Sequence, residues 1–386
     1  MEGKTYSVPK VFLAACAGMV FFGIAMLSLG PILGKLGHIV DGANQLPATM
    51  SIGILIGTVL FGPIVDRAGY KWPLIISTLL ALLGLPGPAN FASMPLLHGS
   101  IFCLGLGGGV LNGLTNALVS DIYDDDKRGG KLGLLGACYC IGALLWTLLN
   151  YFISDFRIPL YAMAAIMAGF IIFFICNEFP KAKPAENTSW KATFGLLKYP
   201  ALLLFGLVLF FQSGFEGASG NFTISFLENG AGMEGSKATL ALTWFTIGML
   251  AGRLPLGDIM KKLGNISTLY LYMVVGLIGV GLFYFFRGNV VLVWLAMALI
   301  GFGVGATFPV ILNFIGGAFR ELSGTAFSIA IFIALLGQSL CNKLTGVAFD
   351  KGEYNFLPAL LCVALVCIMI LTPLALGVAV AGKRKK

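Results

Sequence analysis

The feature that most constrains the fold of this chain is a series of apolar runs, each about 20 residues long, that continues from end to end. A helix of that length matches the hydrocarbon thickness of a bilayer. Only 11% of the residues are charged, against about 25% in a soluble domain, so most of the surface cannot face water. The sequence therefore predicts an all-α polytopic membrane protein.

Charged and turn-forming residues divide the apolar sequence into predicted transmembrane spans. The longest connection, after the sixth span, is polar and contains proline and lysine. It predicts a cytoplasmic linker, 180–198, between an N-terminal six-helix bundle, 1–179, and a C-terminal six-helix bundle, 199–386. The twelve predicted spans are 11–36, 43–65, 73–93, 97–122, 131–153, 158–179, 199–227, 238–260, 266–286, 290–318, 323–349 and 354–381.

The basic residues indicate the orientation of the spans. They concentrate in the connections that would share one side of the membrane, such as 127–131, 181–183 and 261–262, and in the tail 383–386. The other side has few: Lys35, Arg157, Lys237, Arg287 and Lys351. Cytoplasmic loops carry an excess of Lys and Arg. We therefore expect both termini in the cytoplasm and a place in the cell (inner) membrane, and we attribute the net charge of +8 to this bias and not to a nucleic-acid partner.

A glycine-containing basic motif follows the second span. It is Gly62-Pro-Ile-Val-Asp66-Arg67-Ala-Gly69-Tyr-Lys71. Gly62 would allow close helix approach, Asp66 could face the N-terminus of a neighbouring helix, and Gly69 would permit a tight turn. The motif resembles the signature loop of the major facilitator superfamily. An ordinary basic loop is the alternative interpretation.

A degenerate copy of the motif stands about six spans later, at Gly252-Arg253-Leu-Pro-Leu-Gly-Asp258, followed by Lys261 and Lys262. Two copies at this separation are typical of a transporter built from duplicated halves. The resemblance implies twelve helices in two six-helix bundles that work by alternating access. It also implies gating roles for Asp66 with Arg67 and for Arg253 with Asp258.

Three further segments resemble the fucose permease-like branch of sugar:proton symporters. They are 105–121 in span four, 131–144 in span five, and 214–222 in span seven, which carries Glu216. The acidic residues expected in spans one and four of that branch are absent, so its proton-coupling carboxylates cannot be carried over. Span four also lacks the arginine typical of drug/proton antiporters.

Polar side chains recur at helical spacing in the spans that line the cavity of this family, namely four, five, seven, eight and eleven. Amides can hydrogen-bond sugar hydroxyls, and an aromatic ring can cover the apolar face of a sugar. The alternative is that these groups bond across packed helices, at about 0.6 kcal/mol each. The predicted substrate-binding residues are Asn112, Asn116, Tyr139, Trp146, Gln212, Glu216, Asn221, Trp244, Gln338 and Asn342.

Glu216 is the acidic residue that the predicted topology places deepest within a span. A carboxyl group removed from water favours its protonated form. Three roles remain open for it: proton coupling, a hydrogen bond to substrate, or a bond between helices.

These observations predict a secondary transporter for a small neutral polar solute, a sugar, with proton symport. The alternative is a uniporter or antiporter of another small organic solute, such as a peptide, a nucleoside or an exported compound. No catalytic constellation stands out, so an enzyme is not expected, and neither is a cofactor or a metal. The predicted protein is a monomer whose partners are the lipid bilayer, the solute and a proton.

Overall fold

The computed structural model of the chain describes residues 6–32, 36, 40, 45–182 and 195–384, and its secondary structure there is helical. Eleven helices are long and apolar enough to cross a membrane, or twelve if one bent pair is counted as a single span. The described spans, numbered in chain order, are Val8–Leu27, Leu46–Ala68, Lys71–Asn90, Met94–Ile122, Asp125–Phe152, Arg157–Ile175, Pro200–Gly230, Gly235–Leu263, Asn265–Phe285, Val290–Ala318, Arg320–Asp350 and Phe356–Arg384.

Span 8 is the bent pair. Its two helices, Gly235–Arg253 and Leu256–Leu263, meet at an angle of 51°. Pro255 lies at the break, and a proline supplies no N–H group and clashes with the carbonyl one turn earlier, so the helix cannot continue straight through it. The sequence predicts a span over 238–260, which agrees with the location of span 8, and the bend at Pro255 was not predicted.

The chain forms two compact units. Unit 1 comprises Met1–Asp124, Cys138–Thr193 and Phe319–Ser328, and unit 2 comprises Asp125–Ala137, Phe194–Ala318 and Ile329–Lys386. The start of span 11 therefore belongs to unit 1, and the start of span 5 belongs to unit 2. The bundle boundaries at 179 and 199 stay a prediction, and most of the expected linker, 183–194, lies outside the described residues, as does Lys35.

Glycines bring helices into close contact within unit 1. A Cβ atom on Gly53 of span 2 would lie 2.6 Å from the Phe102 carbonyl oxygen of span 4. A Cβ atom on Gly62 would lie 2.6 Å from the Gly324 carbonyl oxygen and 2.8 Å from Thr325 Cα, at the start of span 11. Small residues allow membrane helices to approach this closely. Close approach matters there because van der Waals packing, and not hydrophobic burial, stabilises helix association in lipid. Gly62 therefore permits the close packing that the motif predicts.

Candidate functional site

A hydrogen-bonded pair of polar side chains lies in the middle of span 7, in unit 2. Gln212 Nε2 donates to Glu216 Oε2 at 2.8 Å, and Ser213 Oγ donates to Gln212 Oε1 at 3.0 Å. Gln212 is fully buried and Glu216 is partly buried. The two residues are one helical turn apart, so the helix itself places them on one face. Two of the predicted substrate-binding residues therefore contact each other directly.

Span 11 lies against the same part of span 7. A Cβ atom on Gly217 would lie 2.5 Å from Gln338 Cγ and 3.1 Å from Gln338 Nε2. Asn342, one turn further along span 11, has a buried Oδ1 atom with no hydrogen-bond partner in the part of the chain that the structure describes. We call Gln212, Glu216, Gln338 and Asn342 the span 7–span 11 cluster. An unpaired buried amide oxygen is costly unless water or a ligand supplies a donor.

Asn221 and Trp244 lie apart from this cluster. Asn221 is exposed and stands about 140° around the span 7 helix from Glu216. Trp244 is 40% exposed, on the same face of span 8 as the exposed Leu240 and Ile247. Trp244 therefore shares an exposed face of span 8 with apolar side chains, and Asn221 points away from Glu216 on span 7.

In unit 1 the predicted site residues of span 4 are buried and contact each other. Asn116 Nδ2 donates to the Asn112 carbonyl oxygen at 2.8 Å and to Asn112 Oδ1 at 3.3 Å. Asn112 is 7% exposed and Asn116 is 3% exposed. Bonding within one helix satisfies part of their polarity, which is compatible with a structural role as well as with substrate binding.

The aromatic candidates of span 5, Tyr139 and Trp146, differ in exposure. The Tyr139 ring packs on Phe22 of span 1, with the ring centroids 5.6 Å apart. Trp146 is fully buried, and its Nε1 donor has no partner among the described residues. One turn later, Asn150 Oδ1 is likewise buried without a partner there. Span 5 thus presents an unsatisfied donor and an unsatisfied acceptor on one face.

The signature loop contacts the beginning of span 11 inside unit 1. Asp66 is 1% exposed, and its carboxylate accepts hydrogen bonds from the backbone N–H groups of Gly324, at 3.2 Å, and Thr325, at 2.8 Å. Thr325 Oγ1 also donates to it, at 2.7 Å. The first N–H groups of a helix lack partners within the helix and carry partial positive charge. Asp66 therefore faces a helix N-terminus, as the motif predicts.

Arg67 and Gly69 complete the geometry of the loop. Arg67 Nη1 lies 3.5 Å from the Pro63 carbonyl oxygen of its own helix. Gly69 has a φ of 77°, a backbone conformation that residues other than glycine rarely adopt. The tight turn that the motif predicts at Gly69 is therefore present.

A second carboxylate beside the loop was not predicted to take part. Asp121, at the end of span 4, accepts a hydrogen bond from the Tyr70 hydroxyl at 2.6 Å and another from Ser323 Oγ at 2.7 Å. Burial, and next the nearby Asp121 carboxylate, raise the pKa of the Tyr70 phenol well above its usual range. Tyr70 thus stays protonated and acts as a donor. A sequence signal exists in retrospect: Ser323-Gly-Thr325 opens span 11 with hydroxyl residues, which are common at helix starts.

The second copy of the motif has a comparable contact inside unit 2. Arg253 is 4% exposed, and its Nη1 donates to the Gly136 carbonyl oxygen of span 5 at 2.9 Å. A Cβ atom on Gly257 would lie 2.8 Å from Gly130 Cα, also in span 5. Asp258 is exposed, and its carboxylate lies 4.0 Å from Lys261 Nζ. The structure thus joins Arg253 to span 5 and places Asp258 with Lys261.

Among the described residues, no group of three or more His, Cys, Asp or Glu side chains has the arrangement of a metal site. The predicted solute-binding side chains of spans 4, 5, 7 and 11 are amides, a phenol, an indole and one carboxyl group. Such groups can exchange hydrogen bonds with a neutral solute, and the carboxyl group can also take up a proton.

Comparison with known proteins gives the family. The model of the Major Facilitator Superfamily matches residues 11–342. Among curated proteins, the TsgA homolog of Buchnera aphidicola is 24% identical over 159 residues, 40% of this chain and 41% of the relative. The putative niacin/nicotinamide transporter NiaP of Bacillus subtilis is 29% identical over 142 residues, 36% of each chain. Each alignment thus spans less than half of the relative's length.

A solved structure of the E. coli fucose:proton symporter FucP has the same fold. It superposes with a TM-score of 0.80 and 16% sequence identity, covering 96% of this chain and 99% of FucP. At that identity the likeness establishes the fold, and it agrees with the all-α polytopic architecture expected from the sequence. The family is one of transporters and not of enzymes. The family match over residues 11–342, the signature loop and the shared fold agree: the chain belongs to the Major Facilitator Superfamily.

Proposed function

We propose that this transporter moves a small neutral polar solute, a sugar, by alternating access, and that it does so in symport with a proton. The observation that carries the proposal is the span 7–span 11 cluster: three amides and one carboxyl group, with Glu216 near the middle of span 7. Amides offer both donors and acceptors, which suits the hydroxyl groups of a sugar. The fold shared with a fucose:proton symporter supports the same solute class.

The polar groups of unit 1 extend the proposal. The unpartnered Trp146 Nε1 and the buried pair Asn112 and Asn116 lie within spans that are otherwise apolar. Polar groups at membrane depth are costly, and functional sites are where they are usually retained. We propose that these groups, with Tyr139, bind the solute as well. Asn221 and Trp244 are both exposed, so the structure gives less support to a role for them in solute binding.

Proton coupling is assigned to Glu216. Across the described spans it is the acidic residue nearest the middle of its helix, whereas Asp66, Asp121 and Asp350 lie at span ends. It accepts a hydrogen bond from Gln212 Nε2 and is only partly buried. In the span 7–span 11 cluster the carboxyl group of Glu216 is the group able to carry a proton, since the other members are amides.

Gating is assigned to the two copies of the motif. Asp66 accepts hydrogen bonds from the start of span 11, and Arg253 donates a hydrogen bond to span 5. Each copy of the motif therefore contacts a segment that lies far away in the sequence. We propose that these contacts stabilise one conformation of the transport cycle. We also propose that they lie on the cytoplasmic side of the cell (inner) membrane, because the basic connections lie at the same ends of the spans.

The second candidate function is a uniporter or antiporter of another organic solute. The partial likeness to a putative niacin/nicotinamide transporter favours it, since that compound class is also small and contains an amide or carboxyl group. The cavity spans carry few basic residues, which argues against an anionic solute.

The solute class is tested by uptake into proteoliposomes. The purified protein should take up at least one member of a panel of labelled neutral monosaccharides, fucose included, faster than protein-free liposomes do. Nicotinamide and a nucleoside serve as the competing solutes. Uptake of nicotinamide or nucleoside, with no uptake of any sugar, would replace the sugar proposal by the second candidate.

The site is tested by alanine substitution at Asn112, Asn116 and Gln338. Loss of one partner from a desolvated neutral hydrogen bond costs about 1–3 kcal/mol, or roughly tenfold to a hundredfold in affinity. Binding of the transported solute, measured by calorimetry, should weaken by that factor in at least one variant. Unaltered binding in all three would remove these residues from the site.

A further inference from the structure

A cavity of about 250 Å³ lies within unit 2, at the end of the spans where the basic connections are found. Its walls come from spans 5, 7, 10 and 12 and from the first residue of span 9. None of the predicted transport residues lines it. Pockets that enclose a whole drug-sized molecule measure about 300–1,000 Å³, so this cavity suits one part of a larger ligand.

One end of the cavity is polar. Arg128 is only 1% exposed, and its Nη1 lies 2.6 Å from Asp125 Oδ1. Asn313 is 6% exposed, and its Oδ1 has no hydrogen-bond partner among the described residues. Asn265 completes this end. A buried guanidinium group beside an unsatisfied amide oxygen suits a ligand that carries both a phosphate and a hydroxyl donor.

The absence of a side chain at Gly317 keeps this polar end open. A Cβ atom on Gly317 would lie 3.2 Å from Arg128 Nη1 and 3.6 Å from Asp125 Oδ1. The cavity therefore reaches the ion pair directly. The ion pair has no net charge, so it offers a phosphate the hydrogen-bond donors of the Arg128 guanidinium group and no net positive charge.

The remaining walls are apolar. The Phe205 and Phe314 rings stack with their centroids 6.0 Å apart, and Leu376, Ala379 and Val380 of span 12 form the opposite wall. Val380 is 55% exposed, so the cavity borders the outer surface of unit 2. An apolar wall beside a buried cation matches an amphiphile better than a free anion.

Basic residues lie next to the cavity in the sequence. Lys261 and Lys262 are exposed on the short helix that ends just before Asn265, and the Asp258 carboxylate lies 4.0 Å from Lys261 Nζ. Basic residues near a membrane surface attract anionic lipids. Lys262 therefore adds positive charge on the side of the cavity that Asn265 forms.

We infer that this cavity binds the headgroup of an anionic phospholipid of the phosphatidylglycerol type. The phosphate lies against Arg128, a hydroxyl of the headgroup donates to Asn313 Oδ1, and the acyl chains extend from the opening along span 12. Guanidinium is the side-chain cation best shaped for phosphate. The inference does not depend on the transport proposal, because it concerns a separate site and a separate ligand.

The test is native mass spectrometry of the delipidated full chain, titrated with phosphatidylglycerol. Ala379→Phe places a ring in the cavity wall, whereas Val378→Phe, on the neighbouring residue of the same helix, lies outside the cavity and is the matched control. Ala379→Phe should weaken the first phosphatidylglycerol binding event about tenfold or more, equivalent to about 1.4 kcal/mol. Val378→Phe should bind as the wild type does.

Two further measurements distinguish a bound anionic lipid from a zwitterionic lipid and from a soluble phosphate. Phosphatidylcholine, with a zwitterionic headgroup and no hydroxyl donor on it, should bind more weakly than phosphatidylglycerol. Glycerol 3-phosphate, the soluble counterpart, should not displace the lipid at equal concentration. Equal lipid binding by Ala379→Phe and Val378→Phe, equal binding of both lipids, or displacement by glycerol 3-phosphate would overturn the inference. So would the absence of any phosphatidylglycerol binding.

Discussion

At the scale of single residues, Glu216 and Gln212 are the pair proposed to link proton and solute. The 2.8 Å bond from Gln212 Nε2 gives the Glu216 carboxylate a donor in a span that otherwise offers few. Protonation of Glu216 would weaken that bond and release the Gln212 amide for other partners. The protonation state of one residue would thus alter the polar surface offered to the solute.

Glu216→Gln tests this role, because glutamine mimics the protonated carboxyl group and nearly keeps its size. We expect the variant to exchange labelled solute for unlabelled solute across proteoliposomes at a rate close to that of the wild type. It should lose the accumulation that an inward proton gradient drives. Ser213→Ala, which removes the donor to Gln212 on the same helix, controls for a general disturbance of the cluster and should retain accumulation.

If Glu216→Gln still concentrates the solute, coupling lies at another group. If the variant binds no solute at all, Glu216 contacts the solute directly and the separation of roles proposed here is wrong.

We propose that Asp66 acts through conformation and not through contact with the solute. Its carboxylate accepts three hydrogen bonds from Gly324 and Thr325, and hydrogen bonds to charged groups contribute about 1.5–3 kcal/mol each. Asp66→Asn removes the charge and one acceptor, so it should shift the conformational equilibrium by roughly tenfold or more. We expect slower transport with nearly unchanged solute affinity, measured as exchange rate and as calorimetric Kd.

Asp126→Asn provides the comparison, since Asp126 is exposed at the start of span 5 and the substitution removes the same charge. An Asp66→Asn variant that transports as fast as Asp126→Asn would exclude the gating role.

The sequence predicted the conformation and environment of single residues where these depend on neighbouring residues of the same loop. Gly69 has the positive φ expected of its place in the loop, and Asp66 faces a helix N-terminus. The partners of these residues were not predictable, because Thr325 is 259 residues from Asp66 and Ser323 is 202 residues from Asp121. No local pattern specifies a contact at that distance without knowledge of the fold.

At the scale of the helices, hydrophobicity located the spans well and their ends less well. Span 1 was predicted over 11–36 and is helical over Val8–Leu27, since Gly30 and Pro31 follow in an apolar sequence that is unfavourable to helix. The break at Pro255 was not predicted, because the two helices that meet there are together apolar enough to be taken for one span. The length of an apolar run shows that a helix can cross the membrane, but it does not show that the helix is straight.

Gly62 determines how closely span 2 approaches the start of span 11. Gly62→Ala would place a Cβ atom 2.6 Å from the Gly324 carbonyl oxygen and 2.7 Å from Ser328 Cβ, which requires the helices to separate. Overpacking of this kind costs about 1–3 kcal/mol. We expect a lower Tm for the purified protein and a slower exchange rate.

Gly99→Ala is the matched control for this change, because a Cβ atom there meets no heavy atom of the structure within 4 Å. It should leave Tm within the error of the wild type. A Gly62→Ala variant as stable as Gly99→Ala would contradict the packing role of Gly62.

For the whole molecule, the sequence predicted the family and the fold class, and the family match over residues 11–342 confirms both. It did not predict that the starts of spans 5 and 11 would belong to the compact units of the opposite halves. Arg253 with Gly136 in unit 2, and Asp66 with Thr325 in unit 1, are the contacts that hold those segments. Such contacts depend on tertiary packing, on which hydrophobicity along a single span carries no information.

If solute and proton cross together, uptake of the solute carries protons into the vesicle, and that proton movement can be measured. Proteoliposomes containing a pH-sensitive dye are prepared with equal pH inside and outside, and the sugar that the protein takes up fastest is added outside. We expect acidification of the interior that follows sugar uptake in the wild type and is abolished in Glu216→Gln. Sugar uptake by the wild type with no change of internal pH would contradict proton symport.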